Sequence, residues 1–185
     1  MLAQILSLKL YFQENIYDNT DSRKLAHRED PPGQRLLEKY RWPYLSIDHL
    51  KMGLIRSGQT ALTPEDDREL TVYLWPIVRE MVKTAIENKQ NLIVEGVYIP
   101  HNWREGLGGE YLREIRYLCL AMTRDYIERH RGDILSHGSD IEERLEDDVN
   151  WEELIRENEE NLRVCRELGE RVLVIDEGYE VDFDI

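Results

Sequence analysis

The stretch Asn91-Leu92-Ile93-Val94-Glu95-Gly96-Val97 (NLIVEGV) decides the fold. Its apolar run does not alternate, so both of its faces need cover. That is the pattern of a strand buried in a parallel sheet, and an acid and a glycine close it. Two further segments read the same way: Ile115–Met122 (IRYLCLAM), and Arg171–Ile175 (RVLVI), which ends at Asp176. Pro43-Tyr44-Leu45-Ser46-Ile47-Asp48 predicts a short strand ending in an acid, followed by a helix over His49–Ser57 that stops near Gly58.

Helices fill the intervals. Thr63-Pro64-Glu65-Asp66 has a helix start's order, an N-cap residue, proline at the first helical position and acids in the first turn. Leu70, Leu74, Ile77, Met81 and Ala85 continue it towards Asn88, with a kink expected at Pro76. Asn150-Trp151-Glu152-Glu153 is a capping box with Asn in the Ser/Thr place. The helix it opens carries Trp151, Leu154, Ile155, Leu162, Cys165 and Leu168 on one face and closes at Gly169. Leu36–Tyr40 reads as a helix end, after a breaker at Pro31-Pro32-Gly33.

The first expected strand differs. In ILSLKLYF (5–12), Leu6, Leu8, Leu10 and Phe12 fall on one face and Ser7, Lys9 and Tyr11 on the other. Alternation fits an edge strand better than a central one. Strands alternating with helices predict one α/β domain over 1–185, a three-layer sandwich with a mainly parallel sheet and helices on both faces. Ligands of such sheets bind beyond the carboxyl ends of the strands, where Asp48, Glu95, Thr123 and Asp176 fall.

The 185 residues carry 24 Lys+Arg against 38 Asp+Glu, a net charge of −14. Capture of duplex nucleic acid or an anionic membrane is disfavoured by that sign. The excess is local: residues 142–160 hold ten acids and two arginines, and residues 176–185 hold five acids and no base. The rest is nearly neutral, so an anionic ligand is not excluded. No apolar stretch approaches the length of a membrane span, and Met1-Leu2-Ala3-Gln4-Ile5 does not read as a signal peptide. Two cysteines, Cys119 and Cys165, without zinc-type spacing read as reduced thiols of a cytoplasmic protein.

Asp48 and Glu95 are the leading candidates for chemistry. A carboxylate beyond a strand can orient a hydroxyl, act as a general base or hold Mg²⁺ through water. The plainer alternatives are a helix N-cap for Asp48 and a solvated rim acid for Glu95. Arg124, Arg129, Arg131 and Arg144 flank Gly132 and Gly138 over 124–148. They suit phosphate oxygens on a mobile lid, or else pair with Asp125, Glu128, Asp133, Glu142 and Glu143. His130 and His137 read as solvated loop histidines, and Trp42, Trp75, Trp103 and Trp151 as packing residues.

Taken in order, PYLSIDHLKMGLIRSG (43–58), NLIVEGVYIP (91–100), LAMTRDYIERHR (120–131), IEERLEDD (141–148) and ENEENLRVCRELGERVLVIDEGY (157–179) resemble the adenylate-kinase-like small-molecule kinases of the P-loop superfamily. The resemblance is closest to proteins labelled 2-phosphoglycerate kinase-like and spans roughly 36–180. It implies an ATP- and Mg²⁺-dependent phosphotransferase acting on a small metabolite or nucleotide, or a non-catalytic relative that binds a ligand and forms a homodimer. It makes Asp48, Arg56, Glu95 and Tyr98 substrate-binding. It makes Asp48, Glu95, Arg129, Arg131 and Arg144 catalytic, and Arg129, Asp176 and Tyr179 nucleotide-binding. One part of the family pattern is missing. G-x-x-x-x-G-K-[ST] should follow the first strand, yet Gly33 is the one glycine before Asp48, and Lys9, Lys24 and Lys39 precede Leu10, Leu25 and Tyr40. The segment 1–35 is therefore atypical. Its strand edge is the contact surface that the non-catalytic reading expects.

Overall fold

The computed structural model describes residues 4–8, 41–132, 134 and 150–177. Five strands, β1 (Gln4–Leu8), β2 (Tyr44–Ser46), β3 (Leu92–Gly96), β4 (Ile115–Met122) and β5 (Arg171–Ile175), form one sheet in the order β2-β3-β1-β4-β5. Its helices are α1 (Ile47–Arg56), α2 (Asp67–Glu87), α3 (Gly109–Leu112), α4 (Arg124–Arg129) and α5 (Trp151–Glu167). The fold is thus mixed α/β. β2 runs parallel to β3, and β4 parallel to β5.

β1 overturns the edge-strand expectation. It lies at the centre of the sheet, antiparallel to both β3 and β4. Gln4 pairs with Gly96 and Cys119, and Leu8 pairs with Leu92 and Ile115. Leu8 therefore lies where β3 and β4 begin, opposite the ends that carry Glu95 and Thr123. Both edges of Gln4–Leu8 are occupied, by β3 and β4. The remaining expected strand residues, 9–12, lie outside the described residues, as do Pro31–Gly33 and Leu36–Tyr40.

One apolar cluster joins the sheet to α1, α2 and α5. Val94, Ile115, Tyr117 and Cys119 meet Ile47, Leu70, Leu74, Val78, Val82 and Cys165 there. On the other parity, Ile93, Leu118 and Leu120 are also buried, which explains why β3 and β4 lack alternation. A smaller cluster packs Ile127 of α4 against Leu154 and Ile155 of α5.

Helix boundaries shift where local turns compete. Ile47 already begins α1 and is fully buried, so Asp48 sits in the first helical turn and not at a strand end. Thr63–Asp66 closes a turn, Asp66 N–H donating to Thr63 O at 3.1 Å. Pro64 therefore serves the turn, and Asp66 is the N-cap of α2. The Asp66 carboxylate reaches back to accept from Thr63 N (2.7 Å) and Oγ1 (2.9 Å), which holds its pKa below the usual carboxylate range. α2 continues through Pro76, whose missing donor lies on the exposed side. Asn150 caps α5 as expected, its side chain accepting from Glu153 N at 3.2 Å, while the reciprocal half of the box is replaced by Asn150 Nδ2 donating to Glu153 Oε2. At the far end of α5, Glu170 N donates to Cys165 O and Gly169 N to Arg166 O, with Gly169 at φ 69°.

Asn158 completes the buried face of α5 where the sequence reading had no residue. It is 2 % exposed; its Oδ1 accepts from Met122 N (3.1 Å) and its Nδ2 donates to Leu154 O (2.8 Å). Asn158→Ala strands the Met122 amide at the end of β4. We expect a loss of about 2 kcal/mol in urea unfolding, and Asn158→Leu to do no better despite its apolar bulk.

Candidate functional site

The carboxyl ends of β2 and β3 carry the densest polar cluster. Ser46 and Glu95 are paired in register, so the chain that follows each strand starts side by side. Gly96 sets how close α1 comes. Its φ is +155°, and a Cβ there would stand 2.8 Å from Ile47 Cβ. The first turn of α1 presses onto this bare backbone and brings Asp48 up to Glu95.

Glu95 is 8 % exposed, which excludes the solvated-rim reading. Tyr44 Oη donates to its Oε2, while Oε1 takes no hydrogen bond among the described residues. Burial raises the Glu95 pKa and the charge of Asp48 raises it further, against the stabilising Tyr44 O–H. Tyr44 is pushed up in turn, first by burial and then by the carboxylate. Asp48 is partly exposed and pairs through Oδ1 with Lys51 Nζ at 3.0 Å.

Lys51 and Asp67 escaped the sequence reading. Lys51 is 1 % exposed, and its Nζ also donates to Tyr98 Oη at 3.1 Å and lies 5.2 Å from that ring's centroid. Tyr98 Oη passes a hydrogen bond on to Asp67 Oδ1 at 3.0 Å, in the first turn of α2. A buried ammonium is tolerated only when so paired. Lys51 was detectable as the i+3 partner of Asp48 on a helix. Asp67 has no such signal, because α2 meets Tyr98 only in the folded chain.

A second cluster closes the ends of β4 and β5. Thr123 Oγ1 caps α4 by accepting from Tyr126 N, and donates to Asp176 Oδ1 at 2.8 Å. Arg129 Nη2 donates to Asp176 O at 3.1 Å, so two residues expected at the nucleotide meet here. Their contact uses a backbone carbonyl and leaves Arg129 exposed. Arg124 pairs with Glu128, Glu152 and Glu159, the ion-pairing alternative. Arg131 lies over the Trp151 ring, 5.1 Å from its centroid. His130 stacks on Tyr126 and bonds its backbone carbonyl, and Arg56 ends α1 exposed. Arg144, His137 and Tyr179 lie outside the described residues.

The two clusters stand at the same end of the sheet, separated by β1. Asp48, Glu95 and Tyr98 come together; Arg56, Arg129 and Arg131 do not join them in any described contact. Between the clusters lies the amino end of β1, with Gln4 opposite Gly96 and Cys119. Leu8, the last described residue of β1, lies at the opposite end of the sheet from both clusters. No described residues form a group of three His, Cys, Asp or Glu able to hold a metal ion. Among the described residues no helix is long and apolar enough to cross a membrane.

No family model, curated protein or solved structure matches this chain.

Two outcomes are expected of the cluster. Gly96→Ala drives a Cβ into Ile47, itself immobilised in the core, and should cost about 2–4 kcal/mol, read as a lowered thermal midpoint. Glu95 binds its proton more tightly folded than unfolded, so its contribution to stability falls as pH rises from the unfolded pKa through the folded one. Glu95→Gln keeps an acceptor for Tyr44 and removes that slope. In urea titrations it should gain on the parent protein between pH 4 and pH 8, and parallel curves would refute the burial of a carboxylate here.

Proposed function

We propose that the crevice beyond β2 and β3 is the acceptor half of a small-molecule phosphotransferase, built on the three-layer plan of the P-loop small-molecule kinases. The reading rests on one observation, the approach of Asp48, in the first turn of α1, to Glu95, buried at the end of β3. Lys51, itself bonded to Tyr98, holds Asp48 in place, and Tyr44 holds Glu95. Each carboxylate keeps an oxygen that takes no hydrogen bond among the described residues. A ligand hydroxyl donating to Asp48 is thereby oriented. Glu95, whose pKa burial raises, is a stronger proton acceptor than an exposed carboxylate and suits removal of a proton from such a hydroxyl. The acceptor is then a small hydroxylated metabolite or nucleotide, and ATP with Mg²⁺ is the donor that the family resemblance implies.

The direction of β1 favours a second reading, a non-catalytic relative that binds the same small ligand. Its crevice keeps the acceptor side, while Leu8, the last described residue of β1, lies at the other end of the sheet.

Transfer of labelled γ-phosphate from ATP, assayed across a panel of hydroxylated metabolites and nucleosides, separates the two. The phosphotransferase reading expects acceptor-dependent transfer that Asp48→Asn lowers at least about tenfold. Thermal stabilisation by a panel member without any transfer selects the binding protein. A ligand at 100 times its dissociation constant adds about 2.7 kcal/mol. Absence of both transfer and stabilisation overturns the crevice as a ligand site.

A further inference from the structure

A groove of about 860 Å³ runs between β2 and α2, a volume inside the range of small-molecule sites, about 300–1,000 Å³. Of the crevice residues Tyr44 alone borders it; Asp48, Lys51, Glu95 and Tyr98 do not line it. Its long walls are apolar. Trp42 and Leu45 stand on the β2 side, and Ile77, Met81 and Ala85 recur one turn apart on α2. The eight residues from Ile77 to Ala85 rise about 12 Å, enough to lay a medium-length alkyl chain against the helix. Met81 is left 38 % exposed there.

The groove has one polar end. β2 and β3 run parallel, so the residues that precede them share an end of the sheet, where Ile93 N donates to Pro43 O at 2.8 Å. Arg41 leads into β2, Gln90 and Asn91 lead into β3, and Gln90 N donates to Ala85 O at the close of α2. Arg41, Thr84, Gln90 and Asn91 thus border the groove at that end, and Leu45 and Ile77 lie further along it. The charge at this end is unbalanced. Arg41 is exposed and has no ion-pair or hydrogen-bond partner among the described residues. Glu80, the acid among the described lining residues, is already taken by Lys83 at 3.0 Å and Arg79 at 3.3 Å. An added peptide strand suits the place poorly: β2 is three residues long, and Pro43 before it has no N–H to offer.

We propose that this groove binds a free fatty carboxylate of medium chain length, its head at Arg41 and its alkyl chain along α2 towards Ile77. The carboxylate supplies the counter-charge that no described lining residue supplies, and a guanidinium matches its two oxygens. The chain covers Met81 and Leu45, apolar surface that α2 and β2 otherwise leave open to water. A polyphosphate meets a single cation here, and an alkylammonium meets Arg41 as a like charge. The groove therefore selects an amphiphile with an anionic head.

Isothermal titration of the full chain with decanoate, below its critical micelle concentration, tests this. Expected is one saturable site per chain, with affinity rising about threefold per methylene from octanoate to decanoate. Decylammonium should bind at least about fivefold more weakly than decanoate. Arg41→Gln should weaken decanoate about fivefold and leave decanol unchanged, because it removes the charge and keeps the apolar walls. Thr84→Trp should abolish binding of both by filling the groove. Both side chains are exposed, so thermal midpoints within about 2 °C of the parent's are expected and report an intact fold. The headgroup and chain-length series on the unaltered chain decides the matter even if a variant fails to fold. Absence of binding, binding only above the micelle concentration, or equal affinity for decanoate and decylammonium overturns the proposal. So does decanoate binding that survives Thr84→Trp in a folded variant. A concentration-dependent dimer in light scattering that Thr84→Trp dissociates overturns it too, since a second copy would then occupy the groove.

Discussion

Five residues hold the sheet together. β2·β3 and β4·β5 are two parallel pairs, and β1 alone bridges them, pairing antiparallel with β3 on one edge and β4 on the other. A strand between two parallel neighbours satisfies its backbone groups in either direction, because antiparallel ladders serve both edges equally well. The direction it takes decides what lies at the crevice. With Gln4 level with Gly96 and Cys119, the amino end of β1 fills the middle of the carboxyl edge, and the acid cluster and the Thr123–Asp176 cluster are held apart on either side.

The acid cluster depends on a close approach as well as on pairing. Ile47 is fully buried against the backbone of Gly96, and this contact sets the height of α1 above β3. Lys51 then points inward. Its ammonium replaces lost water with Asp48, Tyr98 Oη and the Tyr98 ring. Glu95 is buried beside this network with Tyr44 as its donor, and burial sets its proton affinity.

Much of the element order was legible. β4 and β5 match the expected Ile115–Met122 and Arg171–Ile175 at both ends, since uniform apolarity is a local property and both faces of β4 are indeed covered. The Asn150 cap and the Gly169 stop were legible because their geometry is confined to a few consecutive residues. Asp48 and Glu95 were found from their positions after apolar runs. Lys51, Asp67 and Asn158 were not, because a polar residue on a helix face gives no local sign of whether its partner waits on another element. The start of α2 was misread at Thr63 for a related reason: proline followed by acids serves a turn as well as a first helical turn, and Asp66 chose the turn by bonding back to Thr63.

The sequence by itself determined the classes of the elements, the burial of β3 and β4, the acidic excess of the C-terminal third and the place of Glu95 at the end of β3. Those follow from periodicity, composition and short-range capping, which act over one or two turns. Tertiary structure decided the rest: the central, reversed placement of β1, the burial of Glu95 and the pairing of Lys51. Alternation in residues 5–12 carries no sign of direction, since a period of two reads the same from either end. Only pairing with β3 and β4 chose which end of that strand faces the crevice, and with it where the chain that follows could go.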